Sequence, residues 1–317
     1  MIKAKLKLKK KKFQQFKNKK MSTNLNRRSA IKGILAGTAA LGIPSGFSAL
    51  AMPKNETEIQ LDMLKGNINH SVARWCFNDF DLETLCIEVK KIGITGIDLV
   101  GPKDWPILKK YDLVSTMCNG AEINLVDGFN DVQFHETLIK NYTEMIPLVA
   151  KAGYKNLICF SGSRRGKTDE EGWNNCIIGL QKLIPLAEKH NVTLVMELLN
   201  SKIDHKDYQC DRTQWGVELA KRLNSENFKL LYDIYHMQID EGDVIRNIND
   251  NHHYIAHFHT AGVPGRNEID ETQELNYAAI MKAIAKTGYK GFVGQEFIPK
   301  NPNKLASLKQ AITICDI

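Results

Sequence analysis

Residues 70 to 317 read as a (β/α)8 TIM barrel, and three observations predict it. Short apolar runs alternate with segments of helical period, a K-x-G-x join recurs between them, and eight such runs fit the roughly 250 residues one barrel needs. The main alternative, an open doubly wound sheet, usually carries a Gly-rich phosphate turn after its first strand, and this chain has none.

In chain order the expected strands are 71–77, 96–100, 113–119, 156–161, 193–198, 228–234, 255–260 and 291–297. Each is followed by a helical segment. Gly93, Gly153 and Gly288 close helices at points where a left-handed residue is needed before the next strand. One helix carries an apolar face of Leu138, Tyr142, Met145 and Val149, and the next carries Trp173, Ile177, Leu180 and Ile184. Pro147 and Pro185 are expected to kink these two helices. The run F-K-L-L-Y-D-I-Y-H at 228–236 is too apolar for a half-exposed strand, so it is expected to be covered on both faces, with a helix over 242–251 behind it.

Four consecutive strands end on a potential ligand: Glu197, Asp233, His259 and Glu296. Any one alone reads as a capping or surface polar residue. In a barrel, however, all strands point their carboxyl ends at one face, so these four are expected to converge around half of its mouth.

The N-terminus has a separate character. Ten lysines fill the first twenty residues, followed by Asn26-Arg27-Arg28-Ser29-Ala30-Ile31-Lys32, an apolar stretch over 33–50 and a small-residue cleavage site at Ala49-Leu50-Ala51. This layout resembles a twin-arginine export signal, so residues 1–51 are expected to be signal, 52–317 a single barrel domain and the location periplasmic. Met21 is an alternative start. The apolar stretch is too short and too rich in Gly and Ala for a permanent membrane span. Residues 1–51 hold thirteen of the 43 Lys and Arg and none of the 36 acids, which leaves residues 52–317 acidic at about −6. A nucleic-acid partner is therefore not expected. Seven cysteines is an odd number, and Cys76, Cys118 and Cys159 lie in apolar runs, so buried free thiols are expected.

Three carboxylates and an imidazole form a hard, oxygen-rich set that suits Mn²⁺, Mg²⁺ or Co²⁺, with Zn²⁺ also able to bind. Such a cation could chelate the adjacent carbonyl and hydroxyl oxygens of an α-hydroxy carbonyl compound and stabilise the enediolate formed on proton removal. Glu197 and Glu296 can act as the two bases, one removing the proton and the other returning it. His236 is placed to hydrogen-bond a substrate oxygen, although a strand-end cap is an equal reading. Arg266, in the loop V-P-G-R-N-E, can grip a substrate carboxylate or hydroxyl through its planar fork. Arg164 and Arg165 are weaker candidates for that task. Trp75 and Trp105 could wall a sugar pocket, with core packing the favoured role for Trp75. Asn200, His205 and Tyr208 could help close the site. His70, His190, His252 and His253 are expected at the surface.

The motifs V-M-E-L-L-N at 195–200, Y-D-I-Y-H-M-Q at 232–238, I-A-H-F-H-T-A-G-V-P-G-R at 255–266, N-Y at 276–277 and G-Y-K-G-F-V-G-Q-E-F-I-P at 288–299 carry a family resemblance. From Ser71 to Pro299 the chain resembles the hydroxypyruvate isomerase-like branch of the xylose isomerase-like barrel superfamily, which also holds the ketose 3-epimerases. The resemblance implies one divalent metal ion on Glu197, Asp233, His259 and Glu296, catalysis by Glu197 and Glu296, and substrate contacts from His236 and Arg266. Hydroxypyruvate isomerases often have Gln where this chain has His259, and the epimerases have His there.

The expected function is thus a metal-dependent isomerase of a small hydroxy-keto acid or sugar, with a second copy of the chain as one optional partner. A ketose 3-epimerase and a lyase dehydrating a keto-inositol begin with the same proton abstraction. A phosphodiesterase like the apurinic endonucleases would need further ligands from the early strands, yet strand three ends in Cys118-Asn119 and strand four in Phe160-Ser161. A sugar-binding protein without catalysis would not require both glutamates.

Overall fold

The computed structural model describes residues 64–317, so the proposed export signal and the boundary after residue 51 lie outside the described residues. Eight parallel strands close a barrel in sequence order. They are β1 (Asn69–Ala73), β2 (Gly96–Val100), β3 (Val114–Cys118), β4 (Asn156–Cys159), β5 (Thr193–Glu197), β6 (Phe228–Asp233), β7 (Ile255–Thr260) and β8 (Phe292–Gln295). The surrounding helices are α1 (Leu82–Ile92), α2 (Trp105–Lys110), α3 (His135–Ala152), α4 (Asp169–Leu180), α5 (Ile184–His190), α6 (Thr213–Leu223), α7 (Ile234–Asp240), α8 (Val244–Asn251), α9 (Tyr277–Lys286) and α10 (Lys304–Cys315).

All eight expected strands are present, and β2 and β7 have the expected bounds. The clearest shift is in β1, which ends at Ala73 because Arg74–Phe77 coil into a 3-10 turn. The Arg74 guanidinium holds that turn by donating to the carbonyls of Phe77 at 2.8 Å and Phe80 at 2.9 Å. Trp75 is thereby lifted out of the strand.

Gly93, Gly153 and Gly288 adopt φ of 90°, 84° and 82°, as a left-handed helix exit requires. Pro147 lies inside α3. Pro185 does not kink a helix but starts one: the expected helix through Ile184 divides into α4 and α5, and Pro185 stands in the first turn of α5. There its missing N–H has no intrahelical partner to lose. A further short helix, α7, separates β6 from α8, so His236 lies in a first helical turn and not at a strand end.

The core lies inside the barrel and between barrel and helices. Every residue of β5 is buried, as a strand covered on both faces demands. Leu138, Tyr142 and Val149 of α3 face inward, and the Tyr142 hydroxyl donates to the Ile158 carbonyl at 2.7 Å. All seven cysteines are buried and unpaired. His70 corrects the surface expectation: it is 2% exposed on β1, with Nε2 3.8 Å from Asp316 Oδ1. The chain end explains this burial, because Asp316 accepts the Lys65 backbone N–H at 3.0 and 3.1 Å and so lays the α10 terminus beside β1. Among the described residues no helix is long and apolar enough to cross a membrane.

Candidate functional site

Register brings the four proposed ligands together. Glu197 ends β5 opposite Leu231, two residues before Asp233; Asp233 pairs with His259; His259 pairs with Gly294, two residues before Glu296. Their ligand atoms all lie within 4.8 Å of one another, and all four residues are buried. His259 Nδ1 is 3.0 Å from Glu296 Oε2 and 3.4 Å from Glu197 Oε1. The other ring nitrogen, Nε2, faces Asp98 Oδ2 at 3.3 Å.

Local structure aims each side chain. Asp233 caps α7: its Oδ1 accepts the backbone N–H of Tyr235 at 2.8 Å and of His236 at 3.3 Å. That leaves Oδ2 for the site, where it has no hydrogen-bond partner, like Glu197 Oε1 and His259 Nδ1. Buried polar atoms left in this state cost free energy unless something else satisfies them. Three orphaned ligand atoms of the right chemistry fit a divalent cation.

Arg266 reaches the same point from the loop after β7. Its φ of 58° follows Gly265 and a cis Val263–Pro264 bond, and its guanidinium lies over the Trp75 ring at 5.1 Å and the Tyr235 ring at 5.5 Å. Nη2 donates to Glu296 Oε2 at 2.6 Å and lies 3.5 Å from Asp233 Oδ2. Trp75 overturns the core-packing expectation. It is 36% exposed, and its indole N–H donates to Glu296 Oε1 at 2.7 Å. Of these two tryptophans it is Trp105 that packs in the core, buried with its N–H on the Val100 carbonyl and its ring edge-on to Tyr154.

His236 is fully buried, with Nε2 3.5 Å from Asp233 Oδ2. Asn200 Nδ2 donates to its Nδ1 at 2.6 Å, so the neutral ring carries its proton on Nε2, towards the site. His205 packs edge-on against it at 5.2 Å, and the Tyr208 hydroxyl donates to the Glu197 carbonyl at 3.0 Å. Arg164 and Arg165 are instead held by acids of their own surroundings, Asp169 for the first and Asp127 and Asp131 for the second. Sequence reading missed Asp98; its one signal was an acid inside the apolar run G-I-D-L-V.

The electrostatics separate the two glutamates. Burial pushes Glu296 up, but the His259 and Arg266 charges and the Trp75 N–H outweigh it and hold the carboxyl well below the usual range. Burial dominates at Glu197 and raises it, helped by the nearby Glu296 charge. Asp233 is pushed up to about 8 by burial, against the pull of Arg266. Burial drives His236 well below the ordinary imidazole value, with Arg266 adding to the effect, so the ring is neutral. A cavity of about 620 Å³ lined by Asn156, Thr193, Lys229 and Gly291 opens at the amino ends of the strands, away from this chemistry.

A family model described as a xylose isomerase-like TIM barrel matches residues 88–314. The chain belongs to that family. Among curated relatives, a putative hydroxypyruvate isomerase from Homo sapiens is 34% identical over 115 residues, covering 36% of this chain and 41% of the relative, so the chain matches less than half of that relative's length. The hydroxypyruvate isomerase of Escherichia coli is 25% identical over 249 residues, covering 75% of this chain and 95% of the relative. Solved structures of the same fold include an AP endonuclease, family 2, from Brucella melitensis, with TM-score 0.68, 24% identity and coverage of 76% of this chain and 97% of that one. A D-psicose 3-epimerase with D-tagatose from Clostridium cellulolyticum H10 has TM-score 0.64 at 16% identity, covering 79% and 100%. The IOLI protein with a bound zinc atom has TM-score 0.62 at 14% identity, covering 78% and 95%. Below 25% identity, these likenesses establish the fold of the family and leave the chemistry to the site.

Proposed function

We propose that this chain is a metal-dependent isomerase, hydroxypyruvate isomerase-like, that moves a proton between adjacent carbons of a small α-hydroxy carbonyl compound. The observation that carries the reading is the convergence of Glu197, Asp233, His259 and Glu296 within 4.8 Å, with Glu197 Oε1, Asp233 Oδ2 and His259 Nδ1 lacking any hydrogen-bond partner. These four residues would hold one Mn²⁺, Mg²⁺, Co²⁺ or Zn²⁺ ion. When bound, such an ion polarises a carbonyl oxygen and makes the neighbouring C–H more acidic. The names of the human and Escherichia coli relatives and the zinc of the IOLI protein support the assignment.

The protein's own residues divide the work. Glu197 ends β5 and Glu296 directly follows β8, so they approach a substrate from different sides, one taking the proton from carbon and the other giving it back. His236 offers Nε2–H to a substrate oxygen as the enediolate forms. Arg266 exchanges part of its contact with Glu296 for a substrate carboxylate or hydroxyl. Trp75 screens Glu296 from solvent while orienting it.

A ketose 3-epimerase is the second reading, favoured by the imidazole at position 259 and by the D-psicose 3-epimerase of like fold. Export by the signal in residues 1–51 completes the proposal and rests on Arg27, Arg28 and the apolar stretch behind them.

The test is deuterium incorporation from D₂O followed by NMR, using metal-loaded protein with hydroxypyruvate, ketohexoses and inosose beside a Glu296→Gln control. Metal-dependent C–H exchange that disappears in the control supports the reading, and the product separates isomerase, epimerase and lyase. Exchange that persists without metal or in the control overturns it.

A further inference from the structure

We propose that Asp98 is the positioning residue of the metal site, fixing the His259 ring so that Nδ1 faces Glu197, Asp233 and Glu296. The inference rests on the metal reading above. Asp98 lies in the interior of β2 and is 0% exposed. Its Oδ2 collects three groups: the Ser71 hydroxyl donates at 3.0 Å, His257 Nε2 lies at 3.1 Å and His259 Nε2 at 3.3 Å. The fold makes room for the carboxylate by placing Gly294 beside it, where a Cβ would stand 1.9 Å from Asp98 Oδ2 and 2.9 Å from His259 Cδ2.

A side chain that ligates through one ring nitrogen needs a partner for the other, because that partner sets which nitrogen is free and which way the ring points. For His259 Nε2, which makes no hydrogen bond of its own, the carboxylate within reach is Asp98, with Oδ2 at 3.3 Å. It lies at Nε2, the ring nitrogen other than the one that faces Glu197 and Glu296. His257 shares the same oxygen and stands edge-on to His259 at 5.1 Å, but neither of its ring nitrogens comes within 4.0 Å of a Glu197, Asp233 or Glu296 oxygen. The geometry therefore separates a residue that orients the site from one that fills the core beside it.

The experiment measures Co²⁺ affinity by chelator competition and the visible spectrum of the bound Co²⁺, in the full chain and in Asp98→Asn, His257→Gln, Ser71→Ala and Asp233→Ala, with circular dichroism to monitor folding. Asp98→Asn is expected to weaken Co²⁺ about 10- to 100-fold, the range for loss of a group behind a metal-bound histidine, and to change the spectrum. His257→Gln should keep the spectrum and most of the affinity. Ser71→Ala, which removes one support of the Asp98 carboxylate, should give a smaller loss in the direction of Asp98→Asn and serves if that variant does not fold. Wild-type affinity and spectrum in folded Asp98→Asn, or in Ser71→Ala where Asp98→Asn does not fold, overturn the inference; so does a loss in His257→Gln equal to that in Asp98→Asn. Asp233→Ala tells the two failures apart: if it binds Co²⁺ as the wild type does, the metal reading itself falls, and this inference with it.

Discussion

The indole N–H of Trp75 donates to Glu296 Oε1 at 2.7 Å, while Arg266 donates to Oε2 of the same carboxylate at 2.6 Å. One proposed base is thus gripped at both oxygens by residues from opposite ends of the barrel sequence. A hydrogen bond to a charged group is worth about 1.5–3 kcal/mol, and 1.4 kcal/mol is about tenfold in rate. Trp75→Phe keeps the ring under Arg266 and removes only the donor. Its exchange rate is expected to fall about tenfold or more and its stability by no more than about 3 kcal/mol, read from kcat and a melting curve.

The two glutamates should differ in kind from their neighbours. Glu197→Gln and Glu296→Gln are each expected to lower exchange by about 10²–10⁴-fold, the usual contribution of a positioned acid or base. Both variants should still fold, because Gln has the volume of Glu. Single-turnover exchange in D₂O checks this, and a Glu197→Gln enzyme within fivefold of wild type would remove Glu197 from the proposed pair.

Asn200 acts on His236 and not on the four proposed ligands. Asn200→Leu frees the His236 Nδ1 and releases the ring from its Nε2–H orientation. KM is expected to rise more than kcat falls, with metal content unchanged by atomic absorption. His236→Gln, which keeps an N–H donor, should be milder than His236→Leu.

The His70 ring supplies a pH-dependent stability. Burial lowers it to about 4 from 6.5, and the nearby Asp316 opposes this only in part. The unfolded chain therefore takes up the proton first as pH falls. The stability is fully present above about pH 6.5, is lost progressively between there and about pH 4, and amounts to about 3 kcal/mol at most. Denaturant midpoints at pH 7.5 and 5.0 should differ more in wild type than in His70→Gln; an equal difference in both would assign the effect elsewhere.

The barrel was legible because its signals are local. Alternating helical and apolar periods, glycine exits at Gly93, Gly153 and Gly288, and the lack of a phosphate turn are each properties of a few adjacent residues. Strand β1 was misplaced because Arg74 bonds to Phe77 and Phe80 and coils the segment, an effect of side-chain reach that hydrophobicity does not encode. Pro185 reads equally as a kink or a start from its own chemistry, and packing chose the start.

Within the site, the sequence by itself determined which residues stand at strand ends: Glu197, Asp233, His259 and Glu296 follow apolar runs, and one barrel face must receive them all. Only the tertiary structure decided what surrounds them. Trp75 meets Glu296 across 221 positions, Arg266 closes over both Trp75 and Tyr235, and Asp98 stands behind His259 from 161 residues away. The physical reason is barrel closure: β8 pairs with β1, so the first and last strands become neighbours, and contacts made across that seam leave no periodicity in the chain.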